Sequence, residues 1–312
     1  VSDYAFVAEQ TRNALATVAK LERALARDPE SASIQINLAS RQKFARQMQE
    51  ELHRSALFNQ VELCNYRLLP ERAEKYAIPY ISASLLAYQH TFSQIYDSFV
   101  NGRKQRAIIG KEAWLDSLLE FGYSYSGSLG VILLVPSERT FFEGRFDASI
   151  DTMYQVLEIN SQDDVRDIAR TRGEAVVKRV FDWLEANVSG GFAVDVKWTR
   201  SDGRQLGQVI ELGRMEKIVE IISATSDEKL RDFDVAGTLV GLNVQTGSFQ
   251  IAADDDVGSY RGGLDEGFFR EVSHNVPGQY KASLTEILTV NYATNREERK
   301  YRLKSLSRPT SA

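Results

Sequence analysis

Val7, Thr11, Ala14, Val18, Leu21 and Leu25 recur at alternating steps of four and three residues, the spacing of a coiled-coil-like seam along one helix. Asp28, Pro29, Glu30 and Ser31 interrupt the run, because proline lacks an amide donor and pushes the residue before it out of the helical region. Ile34, Leu38, Ala45, Met48 and Leu52 then resume the same alternation, with Arg41 as its polar interruption. Two such seams separated by a short break predict an antiparallel αα-hairpin. A third helical run, through Ile81, Leu85, Tyr88, Phe92, Ile95 and Phe99, starts just after Pro79 and stops at Asn101 and Gly102.

From Phe121 the texture changes. Alternating small and aromatic residues lead into the apolar run 131–135, which reads as a hairpin ending in a buried strand. Helices are expected over 149–158 and, opened by a Ser161 cap with Asp163 and Asp164 in the first turn, over 161–186. Phe192, Val194, Val196 and Trp198 alternate with polar partners as a strand, 201–204 reads as a turn, and Met215, Ile218, Val219 and Ile222 mark a further helix. Beyond a polar linker at 226–229, five short strand-like segments (235–244, 248–253, 257–261, 279–292 and 300–306) predict a small closed β-module.

The expected fold is therefore an α+β multi-domain chain. Residues 1–115 form an N-terminal antiparallel helical, coiled-coil-like region of a hairpin plus third helix, 116–225 a central two-layer α/β domain, and 226–312 a C-terminal small SH3/OB-like β-barrel. The 312 residues suffice for genuine cores. No apolar run approaches the roughly 20 residues that cross a bilayer, and the first residues lack a basic-then-apolar signal, so a soluble protein is expected. One cysteine, Cys64, can form no internal disulfide, which favours a cytoplasmic location. Beside Val61 and Leu63 it reads as a small buried hydrophobe. The net charge of −5 hides a division into +3 for 1–115, −6 for 116–225 and −2 for 226–312. No segment has the basic excess of a dedicated nucleic-acid binder.

Candidate chemistry is sparse. His53, His90 and His274 never fall at a short metal-ligand spacing. Asp232 and Asp234 have the one-residue separation of the paired aspartates in haloacid-dehalogenase-type phosphatases, but two residues are inserted before Gly237 and Thr238, and the preceding segment is polar. Ser124, Ser126 and Ser128 lie before the apolar strand, where a nucleophile elbow places its serine after one. Gly110 and Lys111 are followed by Glu112, which cannot replace the Ser or Thr of a phosphate-cradling loop. Asp254, Asp256 and Asp265 fit the first, third and twelfth positions of a calcium loop, but Gly258 and Ser259 occupy the fifth and sixth.

No catalytic residue, metal site or cofactor is assigned. The favoured function is a non-enzymatic interaction or assembly subunit of a cytoplasmic multi-protein complex, its helices for oligomerisation and its β-module for recognition. Val7, Val18, Leu21, Leu25, Leu38 and Met48 are the partner-binding candidates, for a second copy or another protein. One alternative is a nucleic-acid-associated accessory protein using a basic stripe of Arg299, Lys300, Arg302 and Lys304 with an exposed Tyr260 or Tyr292; Arg103, Lys104, Arg106 and Lys111 form a second basic cluster. The other is an enzyme whose groups converge only in three dimensions, on acidic residues such as Glu143, Asp147 and Asp195.

Overall fold

The computed structural model describes residues 4–58, 61–73, 75–125, 129–135, 144–200, 204–254, 258–268, 275–294 and 296–308. Within them lie eight α-helices and two sheets. The chain divides into two compact units, Val1–Ile222 and Ser223–Ala312, where the sequence reading has three.

The first unit opens with the expected helical pair, α1 (Tyr4–Arg27) and α2 (Ala32–Phe58), joined through a turn at Pro29. Near that turn Ala14, Val18, Leu38 and Ala45 pack helix against helix, with Leu15, Leu21, Leu25 and Met48 around them. At the other end of the pair, Val7, Ala8, Leu52 and Ala56 join Val61, Leu63, Tyr123, Ile132 and Leu134. Those last five belong to the sheet or its entry. Among the described residues the hairpin is thus anchored at one end and packs only on itself at the other.

The sheet takes strands from both sides of the expected boundary at residue 115. Strand β1 (Glu62–Pro70) sits at its centre, in the order β2 (Glu120–Tyr125), β3 (Leu129–Val135), β1, β4 (Phe192–Thr199), β5 (Gln205–Ile210), and every pairing is antiparallel. This is why the helical region and the central domain are one unit. On one face lie α3 (Ile78–Val100), α5 (Gly144–Gln155) and α7 (Glu174–Gly190); the hairpin covers part of the other. The sheet is therefore covered on both sides, not in the two-layer manner expected.

The α3/α7 side is sealed by a fully buried aromatic layer whose polar tips are all paired. Trp183 Nε1 donates to the Tyr66 hydroxyl (2.9 Å), which bonds Ser84 (2.7 Å), and Ser84 donates to Asn187 (2.7 Å). Trp198 Nε1 donates to the Tyr88 hydroxyl (2.9 Å), and that hydroxyl also meets Cys64 Sγ at 3.4 Å. Satisfied in this way, the tips cost little to bury, and the rings contribute their full apolar area.

The expected single helix over 161–186 is two, α6 (Gln162–Arg172) and α7, separated by Gly173 with φ of +102°. A left-handed residue cannot continue a helix, and a Cβ there would fall 2.6 Å from the Lys104 carbonyl oxygen. The Ser161 cap is present as a capping box with Asp164. Helices α4 (Lys111–Asp116) and α8 (Leu212–Ser223) complete the unit.

In the second unit, β6 (Ser226–Asn243), β7 (Ser248–Ala253), β8 (Ser259–Leu264), β9 (Gly278–Asn291) and β10 (Arg296–Ser307) close as a barrel in the order β10-β8-β7-β6-β9. Val235, Leu239, Phe249, Ile251, Tyr280, Ala282, Leu284 and Leu303 fill it. The expected linker at 226–229 is instead the start of β6: Ser226 to Asp232 pair with Asn291 to Thr285, and β9 pairs on its other side with 296–302. Polar residues suffice there because this part of the strand lies beyond the packed barrel core.

Candidate functional site

Antiparallel register lines up side chains across the hairpin side of the first unit's sheet. One row runs Tyr123, Ile132, Asn65, Lys197, Gly207, and the next Tyr125, Gly130, Arg67, Asp195, Val209. The apolar members lie toward the hairpin anchor and the polar ones away from it. Above them α2 presents Arg46, Gln49, Glu50, His53 and Arg54, spaced three, four, seven and eight residues apart and so on one helical face. Between this wall and a floor of Asn65, Tyr123, Tyr125 and Ile132 lies a cleft of about 810 Å³, within the range of small-ligand sites.

Tyr125 defines the floor. A Cβ on Gly130 would fall 2.1 Å from the Tyr125 ring, so the ring lies directly on the sheet over a position with no side chain. Its hydroxyl donates to Asn65 Oδ1 at 2.6 Å, which holds the ring flat. Burial pushes the Tyr123 hydroxyl up to about 12, against the pull of a hydrogen bond with Gln49, so it stays a neutral phenol. Arg67 pairs with Asp195 at 3.1 Å and Arg54 with Glu51 at 2.8 Å.

His53 is held below the ordinary histidine range, first by burial and then by the charge of Lys197; His90, beside Trp114 on the other side of the sheet, is lowered by burial and Arg179 against the opposing effect of Asp182. Both imidazoles are thus favoured neutral in the folded state. Their contribution to stability is fully present above the ordinary pKa of about 6.5 and is lost as pH falls through the lowered value. The urea midpoint is accordingly expected to drop between about pH 7 and pH 5, and His53→Gln to flatten part of that drop.

The basic stripe on β10 exists, but its cations are largely paired: Arg299 with Glu297 (3.3 Å) and Glu286 (3.8 Å), Lys300 with Glu298 (3.2 Å) and Lys304 with Asp232 (2.6 Å). Arg302 is the strand neighbour of Thr285 and lines, with Lys304, Asp232 and Asp265, a pocket of about 240 Å³. Neither expected aromatic stands free beside it. Tyr260 packs against Phe233 and Tyr301, and Tyr292 is buried. In the second cluster, Lys104 is committed to the fully buried Asp97 at 2.6 Å and Arg103 to the Arg170 carbonyl at 2.7 Å. The Gly110 amide also donates to Asp97 (3.1 Å), so this loop is tied down by its own polar groups.

The partner-binding candidates point inward. Val7 packs against the sheet, Val18 and Leu38 are buried in the hairpin seam, and Leu21, Leu25 and Met48 pack around them. Outside the seam, Ile36 (71% exposed) and Phe44 (40% exposed) face solvent instead. Cys64 is buried, and burial pushes its thiol up to about 12, which leaves it inert as a nucleophile. Asp147 and Asp195 are not brought to one site: Asp147 faces Arg200 at 3.9 Å, whereas Asp195 pairs with Arg67. Asp234 pairs with Lys281 at 3.0 Å, as Asp232 does with Lys304. Glu143, His274, Ser126, Ser128 and Asp256 lie outside the described residues. Among the described residues, no three His, Cys, Asp or Glu side chains group to hold a metal ion.

The cleft went unread in the sequence because its residues come from α2, β1, β2 and β3, up to 86 positions apart between Arg46 and Ile132. The local signal that could have found it is the polar Asn65 and Arg67 alternating with the buried Cys64, Tyr66 and Leu68. Comparison of the chain with models of known families, with curated proteins and with solved structures finds no match.

Proposed function

We propose that the protein is a non-enzymatic interaction and assembly subunit in which the α1–α2 hairpin joins a second copy of the chain, and the barrel, of SH3/OB-like size, presents a recognition surface. A cytoplasmic complex is the setting that one buried cysteine and the absence of any helix long and apolar enough to cross a membrane, among the described residues, best suit. The observation that carries the reading is the hairpin's free half. Among the described residues its seam cluster contains no sheet residue, so within them the two helices bury only the surfaces they share.

Two helices alone cover at most one stripe each, and a pair of such hairpins closes a four-helix bundle with a coiled-coil-like seam. Ile36 and Phe44 lie outside the existing seam and supply apolar surface for that second contact. Residues 1–58 carry eight basic and seven acidic side chains, so a net charge of only +1 opposes the approach of an identical arm. The contact would be isologous, the same patch serving both copies.

Hydrogen exchange tests it. Amides of 15–45 are expected to exchange at least about tenfold more slowly when the full chain is raised from sub-micromolar to tens of micromolar, and Ile36→Lys with Phe44→Lys to abolish that change without shifting the thermal transition. Exchange independent of concentration in the unsubstituted protein would contradict self-association.

A further inference from the structure

The cleft beneath α2 has a chemistry of its own, separate from the arm. Its floor is an aromatic ring pressed flat on the sheet, with one face against the Gly130 backbone and the other toward the cleft. Such a ring is a stacking platform, held in place by the bond from its hydroxyl to Asn65 Oδ1 at 2.6 Å. With that oxygen occupied, the Asn65 side chain offers its amide donors. Ile132 adds an apolar edge beside the ring.

The charges around the platform do not cancel. Arg54 is engaged by Glu51 and Arg67 by Asp195. Arg46, on the cleft wall with Glu50 as the one carboxylate in the lining, and Lys197, the strand neighbour of Asn65 outside that lining, have no ion pair with any described residue. His53 senses the resulting positive field through Lys197. Donors and cations therefore outnumber acceptors next to a flat apolar surface.

We infer that this cleft binds a small organic anion built on a flat ring, the ring stacked on Tyr125 against Ile132 and the carboxylate or phosphate held by Arg46 and the Asn65 amide, with the charge of Lys197 adding attraction from outside the lining. A ring without charge leaves both cations unanswered. A charge without a ring gains only the weak, solvent-screened attraction of exposed groups. Affinity requires both on one molecule. The inference goes beyond the assembly reading and stands without it, since every contributing residue lies in one copy of the first unit.

The experiment is a calorimetric titration of the full chain at low protein concentration with four probes: 2-naphthoate, adenosine 5′-monophosphate, 2-naphthylmethanol and acetate. At least one of the two ring-bearing anions is expected to bind with Kd below about 1 mM, and which one distinguishes a carboxylate from a phosphate site. The neutral ring and the bare anion should each be at least about tenfold weaker. Arg46→Gln should weaken the anion about tenfold and Lys197→Gln about threefold, both sites being exposed and so harmless to the fold, and neither should change the neutral ring. Tyr125→Leu should weaken the ring-bearing probes while the His53 imidazole resonances still report a folded cleft. Absence of binding by both ring-bearing anions, equal binding of charged and neutral rings, or affinity indifferent to Lys197→Gln and Arg46→Gln together would each overturn the inference.

Discussion

Gly262→Ala is expected to unfold the barrel, lowering its stability by more than about 3 kcal/mol, whereas Gly263→Ala one residue later changes it by less than about 1 kcal/mol. A Cβ at position 262 would lie 1.9 Å from the backbone oxygen of Tyr301, but one at 263 would meet nothing closer than 3.7 Å. The clash falls at the seam that closes the ring of strands, where among the described residues β8 and β10 pair in parallel through Arg302 with Gly263 and Leu303 with Leu264. A backbone oxygen cannot swing aside as a flexible side chain can. The strands must part or the new residue must distort β8. All three tryptophans, Trp114, Trp183 and Trp198, belong to the first unit, so their fluorescence follows that unit while far-ultraviolet circular dichroism at 218 nm also follows the barrel. Loss of the circular dichroism signal ahead of the tryptophan signal in Gly262→Ala, but not in Gly263→Ala, is the outcome to look for.

The second large effect is expected at Asp97, whose carboxylate is fully buried at the end of α3. It receives Lys104 Nζ at 2.6 Å, Asn101 Nδ2 at 2.7 Å and the Gly110 amide at 3.1 Å, and so fastens the loop between α3 and α4. Asp97→Ala removes the acceptor for all of them and strands a lysine that is itself mostly shielded. A cost of about 3 kcal/mol follows, in the range for breaking one side of a buried pair. Asp97→Asn keeps an acceptor for Gly110 and should cost less. Lys104 also anchors the next segment, because its carbonyl accepts from the Ala175 amide at 3.0 Å, so protease sensitivity in 101–110 should rise with the loss of stability. Chemical denaturation followed by tryptophan fluorescence measures both variants.

The helical pair, the third helix and the β-rich end follow from periodicity, because each buries a stripe or an alternating face that the local sequence must supply. Strand β1 escaped that logic. Its Cys64, Tyr66 and Leu68 face the aromatic layer and alternate with the half-buried Asn65 and Arg67 on the hairpin side, but the contrast lasts only five positions before the adjacent apolar pairs Leu63 with Cys64 and Leu68 with Leu69 blur it. Missing β1 also hid the union of the first two segments. Gly173 was visible as a residue, but only its closeness to Lys104, 69 positions earlier, shows why a helix must break there. The basic stripe was legible, and so was the share of its neutralisation that Glu297 and Glu298 supply from the same strand; the share that Glu286 and Asp232 bring from β9 and β6 was not. The same reason applies to the cleft. Periodicity reports which face of an element is buried, whereas a site depends on which exposed faces meet.

The proposal that the hairpin joins two copies is tested most directly by the mass of the intact chain in solution, measured by light scattering across a range of concentrations. From the monomer value of 35.1 kDa at the lowest concentration, the mass is expected to climb toward twice that figure, and Ile36→Lys with Phe44→Lys to hold it at the monomer value throughout. A mass fixed at 35.1 kDa up to about 100 μM, with or without those substitutions, would contradict the account.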